Sequence, residues 1–478
     1  MKEMMVMTGS EMRFKSLVHI CASKITSNYQ MTKEAVSSVP HELFQILLAV
    51  AVSNNQAPAT KLLVSRWPYK VLNLCNVLTS DTQLQFSLAD ITTQIMVTVL
   101  SAVVGTSSCQ AKVVDLQGVR LRCVDMATCL HAMINAFKTS SNPTSDKVKV
   151  IFDWTVEEQN FHIVSKAMNT FSESCKVELQ CGKMKAEGLS ENRLIRLIGF
   201  LDKDIAHGLN LSLNSLSHSG LKMVLPHIKR LENLRSVDLS YNILNLPRDI
   251  SGDVCKCIKE VFSSLPRLQD ISLGYNRITG RLMEIMNSLQ SPVRSLRLDK
   301  CFLSLGDLSY MSNTMNTSHL KMLDLSGNTL SNYIKSLENV LLRSCHSLVQ
   351  LNLDGTSLAN NDLSSNMLKR TAASFKKLAK FSIQYNGFVS VEQIGIVTAY
   401  ASIPTLRLIR ITVQASSEVI YGNEFLEDVL LGGNRFSVLS EYQEALDQLP
   451  GDKSRVLTLE VRDELTGCLF VDALTFRL

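Results

Sequence analysis

Leu234 to Leu244 reads LRSVDLSYNIL, and the phrase returns in altered words along the chain. It recurs as Leu268 to Ile278 (LQDISLGYNRI), Val293 to Leu303 (VRSLRLDKCFL), Leu320 to Leu330 (LKMLDLSGNTL), Leu348 to Leu358 (LVQLNLDGTSL) and Leu378 to Phe388 (LAKFSIQYNGF), with Ala206 to Leu216 (AHGLNLSLNSL) as an earlier member. In each phrase the apolar residues alternate, as a strand with one buried face requires. Val237/Leu239, Ile271/Leu273, Leu296/Leu298, Leu323/Leu325 and Leu351/Leu353 therefore point inward, and their neighbours point to solvent. After the strand the chain turns, and Asn242, Asn276, Asn328 or Asn386 stands where a side-chain amide can bond the backbone of that turn and of the adjoining phrase. Cys301 takes the same slot with a weaker donor, and Thr356 departs from it.

The phrases match L-x-x-L-x-L-x-x-N/C-x-L, the leucine-rich-repeat template. From Leu209 the fourth-position residues advance by 28, 34, 25, 27, 28, 30 and 28 residues to Val237, Ile271, Leu296, Leu323, Leu351, Phe381 and Ile409. That spacing leaves room for a helix in each repeat, so the sheet is parallel with the helices outside. The expected fold is an α/β leucine-rich-repeat solenoid, or horseshoe, with a curved parallel sheet, outer helices and an N-terminal helical cap. Its parts are an N-terminal helical region over 1–105, divergent repeats over 106–205, the repeat array over 206–411 and a C-terminal cap over 412–478.

The rest of the chain bounds the reading. At 478 residues, with 45% hydrophobic content and a net charge of only +5, it is a folded protein in which no basic block argues for nucleic acid. Twelve cysteines are scattered without a disulfide framework, and Lys2, Glu3, Glu11, Arg13 and Lys15 interrupt the start where a signal peptide would be apolar. The longest apolar runs, such as Ile46 to Val52, are too short for a membrane span. We read a soluble protein of the cytoplasm, with the nucleus as the other reducing compartment open to it. The sequons at Asn210 and Asn316 then read as strand and loop residues. Phe14 to Ile25 forms an amphipathic helix, a polar link follows, and Ser38 caps a helix that begins at Pro40. Further helices are expected over Thr60 to Val64 and Ser87 to Val103, with strands at Val113 to Leu116, Val148 to Phe152 and Val177 to Leu179. Lys138 to Lys147 reads as a loop, Phe425 to Leu449 as a closing loop and helix, and Arg455 to Val461 as a final strand.

No phosphate loop, dinucleotide fingerprint, zinc-protease motif or nucleophile elbow is present, and the nine histidines are scattered. Cys255 and Cys257, like Cys123 and Cys129, lack the partners of a metal site and read as ordinary thiols. We therefore expect a binder with no catalytic residue, no metal and no cofactor. A partner on the concave face meets Asp238, Asp270, Arg297, Asp299, Asp324 and Asp354. This acidic middle either selects a basic segment or serves as a solvated face.

The amino terminus carries a sharper pattern. Ser16-Leu17-x-x-x-Cys21-x-x-x-Ile25 resembles the motif by which substrate receptors of cullin ubiquitin ligases dock on Elongin C, an apolar helix face laid in a groove. Downstream, Val39-Pro40-x-x-Leu43 resembles the element that selects Cullin-2. Val39-Pro-His-Glu-Leu-Phe44, Arg66-Trp-Pro68, Leu225-Pro-His-Ile228, Thr279-Gly-Arg-Leu282, Leu289-Gln-Ser-Pro292 and the run from His319 to Asn328 together resemble the PRAME family of leucine-rich-repeat proteins. The resemblance implies an adaptor in which Leu17, Cys21 and Ile25 contact Elongin C of the Elongin B/C pair. Val39, Pro40 and Leu43 would contact the cullin, and the horseshoe would present a protein client for ubiquitination. It implies as an alternative an inhibitory scaffold that restrains NF-kappa-B signalling by binding IκB kinase.

Overall fold

In a computed structural model of the chain, residues 16–79, 91–105, 109–119, 121–139, 147–172, 177–249, 251–413, 441–449, 456–463 and 469–477 are described. They belong to two units, Met1–Leu189 with Gly199–Ala206 and Ser190–Ile198 with His207–Leu478. Phe14, residues 87–90 of the expected helix, 140–146 of the expected loop and 425–440 of the expected closing segment lie outside the described residues.

The first unit opens with α1 (Leu17–Thr26), α2 (Tyr29–Ser38), α3 (Phe44–Ser53) and α4 (Ala57–Ser65), followed by strand β1 (Val71–Asn73). The run Ile46 to Val52 lies in α3, where Leu47 to Val52 are each 3% exposed or less, as a helix apolar all round demands. Trp67 follows α4, is 1% exposed, and its Nε1 donates to the Val71 carbonyl at 3.0 Å. Two expectations are corrected here. The stretch read as a polar link is α2, capped by Asn28, whose side chain accepts from the Met31 amide at 3.0 Å. It buries only Thr32 and Ala35, so it shows no hydrophobic period. Ser38 is the last residue of α2 and not a helix N-cap: its hydroxyl donates to the Glu34 carbonyl, and a short 3-10 turn over His41–Leu43 leads into α3.

The chain then alternates α5 (Leu74–Thr79), α6 (Thr93–Gly105), β2 (Val113–Asp115), α7 (Cys123–Thr139), β3 (Val148–Val156), α8 (Glu158–Ser172) and β4 (Val177–Ala186). The four strands are parallel, with Val71 opposite Val113, Val113 opposite Lys149 and Val148 opposite Val177. Strand β1 went unread because VLNLC spells a helix equally well. Strands β3 and β4 outrun their apolar cores, and their register slips between Phe152 and Trp154.

Helix α9 (Glu191–Phe200) precedes the array. In the second unit the repeat phrases become β5 (Gly208–Asn210), β6 (Ser236–Asp238), β7 (Asp270–Ser272), β8 (Ser295–Arg297), β9 (Met322–Asp324), β10 (Gln350–Asn352), β11 (Lys380–Ser382) and β12 (Leu408–Val413). Between them lie α10 (His218–Val224), α11 (Asp253–Ser263), α12 (Leu282–Met286), α13 (Leu305–Asn313), α14 (Ile334–Ser344), α15 (Leu363–Ala372) and α16 (Ser390–Ala401). The strands are parallel in the register the phrases set: Leu209, Val237, Ile271, Leu296, Leu323, Leu351, Phe381 and Ile409 stand side by side. Each of these eight is 2% exposed or less. The fold is an α/β leucine-rich-repeat solenoid. Strand β13 (Val456–Asp463) continues the sheet in parallel, and β14 (Leu469–Arg477), which the repeat template does not announce, adds to it antiparallel.

The asparagine slot works as a ladder between repeats. Asn328 accepts the amides of Cys301 and Leu303, each at 3.1 Å, and donates to the carbonyls of Leu298 and Leu325. Asn386 repeats this on Thr356, Leu358 and Leu353, while Cys301 donates weakly through Sγ to Leu273 and Thr356 uses its hydroxyl on Leu353. The residue before each slot is left-handed: Leu213, Tyr241, Tyr275, Lys300, Gly327, Gly355 and Tyr385 have φ between 48 and 66°. Cys123, Cys129 and Cys255 are buried free thiols, and burial pushes Cys129 up to about 12 and Cys255 to about 11. Among the described residues no helix is long and apolar enough to cross a membrane.

Candidate partner-binding surfaces

Helix α1 begins where Ser16 accepts from the His19 amide. Its inner side is small and polar: His19 is 8% exposed, Ala22 3% and Thr26 2%. The Thr32 hydroxyl reaches across from α2 to the Ile25 carbonyl at 2.9 Å, and Asn54 after α3 donates to Ser23. The apolar stripe that spacing identified is turned outward. Leu17 is 74% exposed, Ile20 54% and Val18 48%, Cys21 is exposed, and Ile25 is half-buried. Small inner residues let α1 sit close to its neighbours, so the long apolar side chains are left to solvent.

The second short motif lies at a bend. Val39, half-buried, ends α2 with its amide on the Ala35 carbonyl at 2.8 Å. Pro40 is exposed, Leu43 is 38% exposed, and the next residue, Phe44, anchors the turn at 2%. Proline fits a position with no ladder or helix amide to supply. Thus Leu17, Cys21, Pro40 and Leu43 are all on the surface of the first unit, with Ile25 and Val39 partly sunk into it.

On the solvent face of the second unit's sheet, the six residues singled out by sequence divide into kinds. Arg297 lies in register with Asp324, and Asp238 is opposite Ser272. Asp238 and Asp324 each take an amide two residues on, Ser240 at 2.9 Å and Ser326 at 3.0 Å, so these carboxylates also close turns. Asp354 accepts from the Ser382 hydroxyl at 2.7 Å and the Gln384 amide at 2.6 Å, and burial pushes its carboxyl up to about 6. Asp299 is likewise raised, first by burial and then by the charge of Asp324. Asp270 stands opposite Ser295 at the start of β7.

Sequence reading missed an aromatic ledge at the far ends of these strands. Tyr241 and Tyr275, both in left-handed slots, stack with centroids 3.8 Å apart and planes 18° from parallel. Lys300 Nζ stands 4.8 Å from the centre of the Tyr275 ring, and Arg277 lies 5.7 Å from that of Phe302. Leu213, Ile243 and Phe302, at 50, 67 and 63% exposed, extend the apolar surface. A positive φ on a tyrosine is unusual, and three occur here at equivalent positions, 241, 275 and 385. The signal in the sequence was the tyrosine before the asparagine, visible but without meaning until the rings are placed together.

Two of the phrases singled out in the sequence bind repeat to repeat. Asp307, 1% exposed, accepts the amides of Gly280 at 2.7 Å and Leu282 at 3.0 Å, besides capping α13 through Ser304. Thr279 donates to the Phe302 carbonyl at 2.7 Å. Gln290 and Ser291 donate to the carbonyls of Ser263 and Pro266 at 2.5 and 2.6 Å. Thr279-Gly-Arg-Leu282 and Leu289-Gln-Ser-Pro292 are therefore clasps. The sequon residues are engaged as well: Asn210 accepts from the Ser212 amide and Asn316 from the Ser318 amide.

Leucine-rich-repeat relatives agree with this architecture. The PRAME C-terminal domain family matches residues 148–399. Leucine-rich repeat-containing protein 14 of Xenopus laevis is 27% identical over 368 residues, covering 67% of this chain and 72% of its own length. The Homo sapiens protein of that name is 26% identical over 383 residues, with 73 and 77% covered. Preferentially expressed antigen in melanoma-like protein 1 of Mus musculus is 24% identical, with 73 and 78% covered. Among solved structures, one chain of the yeast complex of Rad7 and Elc1 aligns over 84% of this chain and 94% of its own at 14% identity, with a TM-score of 0.44.

Proposed function

From the premise that the chain belongs to the PRAME family of leucine-rich-repeat proteins, we propose that it is a non-catalytic substrate-recognition adaptor of a Cullin-2/Elongin B/C ubiquitin ligase. The observation that carries the reading is the outward apolar stripe of α1, with Leu17 74% exposed. It coincides with the residues that resemble an Elongin C docking motif. Laying Leu17 in an apolar groove contributes about 1.5 to 3 kcal/mol, and Cys21 and Ile25 extend the same face. Val39, Pro40 and Leu43 then meet the cullin, and the client lies on the sheet face and aromatic ledge of the second unit. The assembly belongs in the cytoplasm or nucleus.

The test is co-purification of the full chain with Elongin B and C. The wild type retains them, and Leu17→Ala combined with Cys21→Phe loses them while its melting curve stays in place. Retention by that double variant removes the docking reading. Pro40→Ala with Leu43→Ala keeps Elongin B/C and loses Cullin-2. A competing reading, which the family resemblance implies, is a stoichiometric scaffold that occupies IκB kinase and restrains NF-kappa-B signalling. It is favoured if the Leu17/Cys21 variant represses an NF-kappa-B reporter as well as wild type does.

A further inference from the structure

Ahead of strands β8, β9 and β11 the surface of the second unit carries several cations. Arg294 and Lys321, one residue ahead of β8 and β9, line a cleft of about 410 Å³ together with His319, His346 and Lys377. No carboxylate and no Phe, Tyr or Trp lines it among the described residues. Cations that serve the backbone nearby do so visibly: Arg230 donates to the Ile198 carbonyl at 2.5 Å, and Arg343 to that of Ser312. Among the described residues, Arg294, Lys321 and Lys377 make neither a side-chain hydrogen bond of that kind nor any ion pair. Like charges held around one cleft without internal partners repel one another, and an anion bound there relieves the repulsion.

The cleft continues onto the sheet. Arg294, Lys321 and Val349 also line a second cleft of about 540 Å³, which passes Arg297 and reaches Asp238 and Asp270 on the far strands. A ligand that spans both therefore meets cations at one end and carboxylates at the other. From β9 to β6 is three strand spacings, roughly 14 Å, the reach of four to five extended residues. We propose that this double cleft binds an extended protein segment that carries one phosphorylated residue, with a Lys or Arg four residues away. A phosphate offers about two charges and three acceptor oxygens to Arg294, Lys321 and Lys377, more than a carboxylate does. A polynucleotide fits less well, because its next phosphates would meet Asp238 and Asp270. The proposal needs neither Elongin nor a cullin, so it stands or falls separately from the adaptor reading.

The experiment uses the full chain alone and the fluorescein-labelled peptide Ala-phosphoSer-Ala-Ala-Ala-Arg-Ala, read by anisotropy. The phosphopeptide binds at least about tenfold more tightly than its Ser counterpart and than a version with Glu in place of Arg, and binding weakens with salt. Arg294→Glu with Lys321→Glu lowers its affinity at least about tenfold, whereas Lys335→Glu, on the exposed side of α14, changes it less than about twofold. Lys377→Ala, a truncation at the surface, weakens binding even should the charge reversal disturb folding. Equal binding of phosphorylated and plain peptides overturns the proposal. So does equal weakening by Lys335→Glu, or an oligothymidine that binds as tightly and is lost in the same variants.

Discussion

Leu323 and Leu17 are the same residue set in equally apolar spellings, yet one is 0% and the other 74% exposed. In the array, Leu323 is flanked in register by Leu296 and Leu351, so the repeat itself supplies both apolar neighbours. In the first unit the buried side of α1 is made by His19, Ala22 and Thr26, and Leu17 lies off that side. The contrast teaches that a repeating stripe brings its own cover, whereas a single stripe depends on what its inner side already holds. Buried leucines then serve stability, and the exposed one adds little to it, which leaves it open to the docking proposed above.

Four measurements sharpen or break that contrast. Leu323→Ala opens a cavity between two leucine neighbours and lowers unfolding free energy by about 3 to 5 kcal/mol in urea titration. A loss below about 1 kcal/mol would mean that the array closes over the gap and is not tightly packed. Asp307→Ala strands the buried amides of Gly280 and Leu282 and costs about 2 to 4 kcal/mol, with α12 losing amide-exchange protection first. Asp354 tests the sheet face by pH. Burial raises its folded carboxyl to about 6, above the unfolded value of about 3.9. The folded state therefore holds the proton more firmly, and this contribution is full below about pH 4 and is lost as pH rises through 6. Asp354→Asn keeps an acceptor for Ser382 and Gln384 but cannot ionise. It should shrink the stability difference between pH 4.5 and 7.5 by about 1 to 2 kcal/mol relative to wild type. Leu17→Ala has the smallest effect on folding, less than about 0.5 kcal/mol. A larger loss would show that α1 leans on Leu17 for packing and would erase the contrast.

Much of the array was legible because its signals are local and repeated. Period-two leucines specify which side of a strand is buried, and phrase spacing specifies which residues stand side by side. Val237 beside Ile271 and Leu323 beside Leu351 follow from counting. The first unit was less legible where burial is carried by small or polar residues. Helix α2 hides Thr32 and Ala35 and looks like a linker, and β1 is three residues long. The roles of Thr279-Gly-Arg-Leu282 and Leu289-Gln-Ser-Pro292 were invisible, because their partners, Asp307, Ser263 and Pro266, lie about a repeat away. The aromatic ledge and the basic cleft were invisible for the same reason. Tyr241 and Tyr275, or Lys321 and Lys377, come together only when successive repeats are laid side by side.

By itself the sequence determined the repeat, its register, and the existence of an apolar stripe on α1, because periodicity is a property of neighbours along the chain. The tertiary structure alone decided that the stripe faces solvent, that Asp354 is half withdrawn from water, that Arg294 and Lys321 line one cleft, and that three tyrosines hold left-handed slots. Exposure, dielectric surroundings and charge pairing depend on which residues from other turns of the chain come within a few ångströms, and no local spacing encodes that.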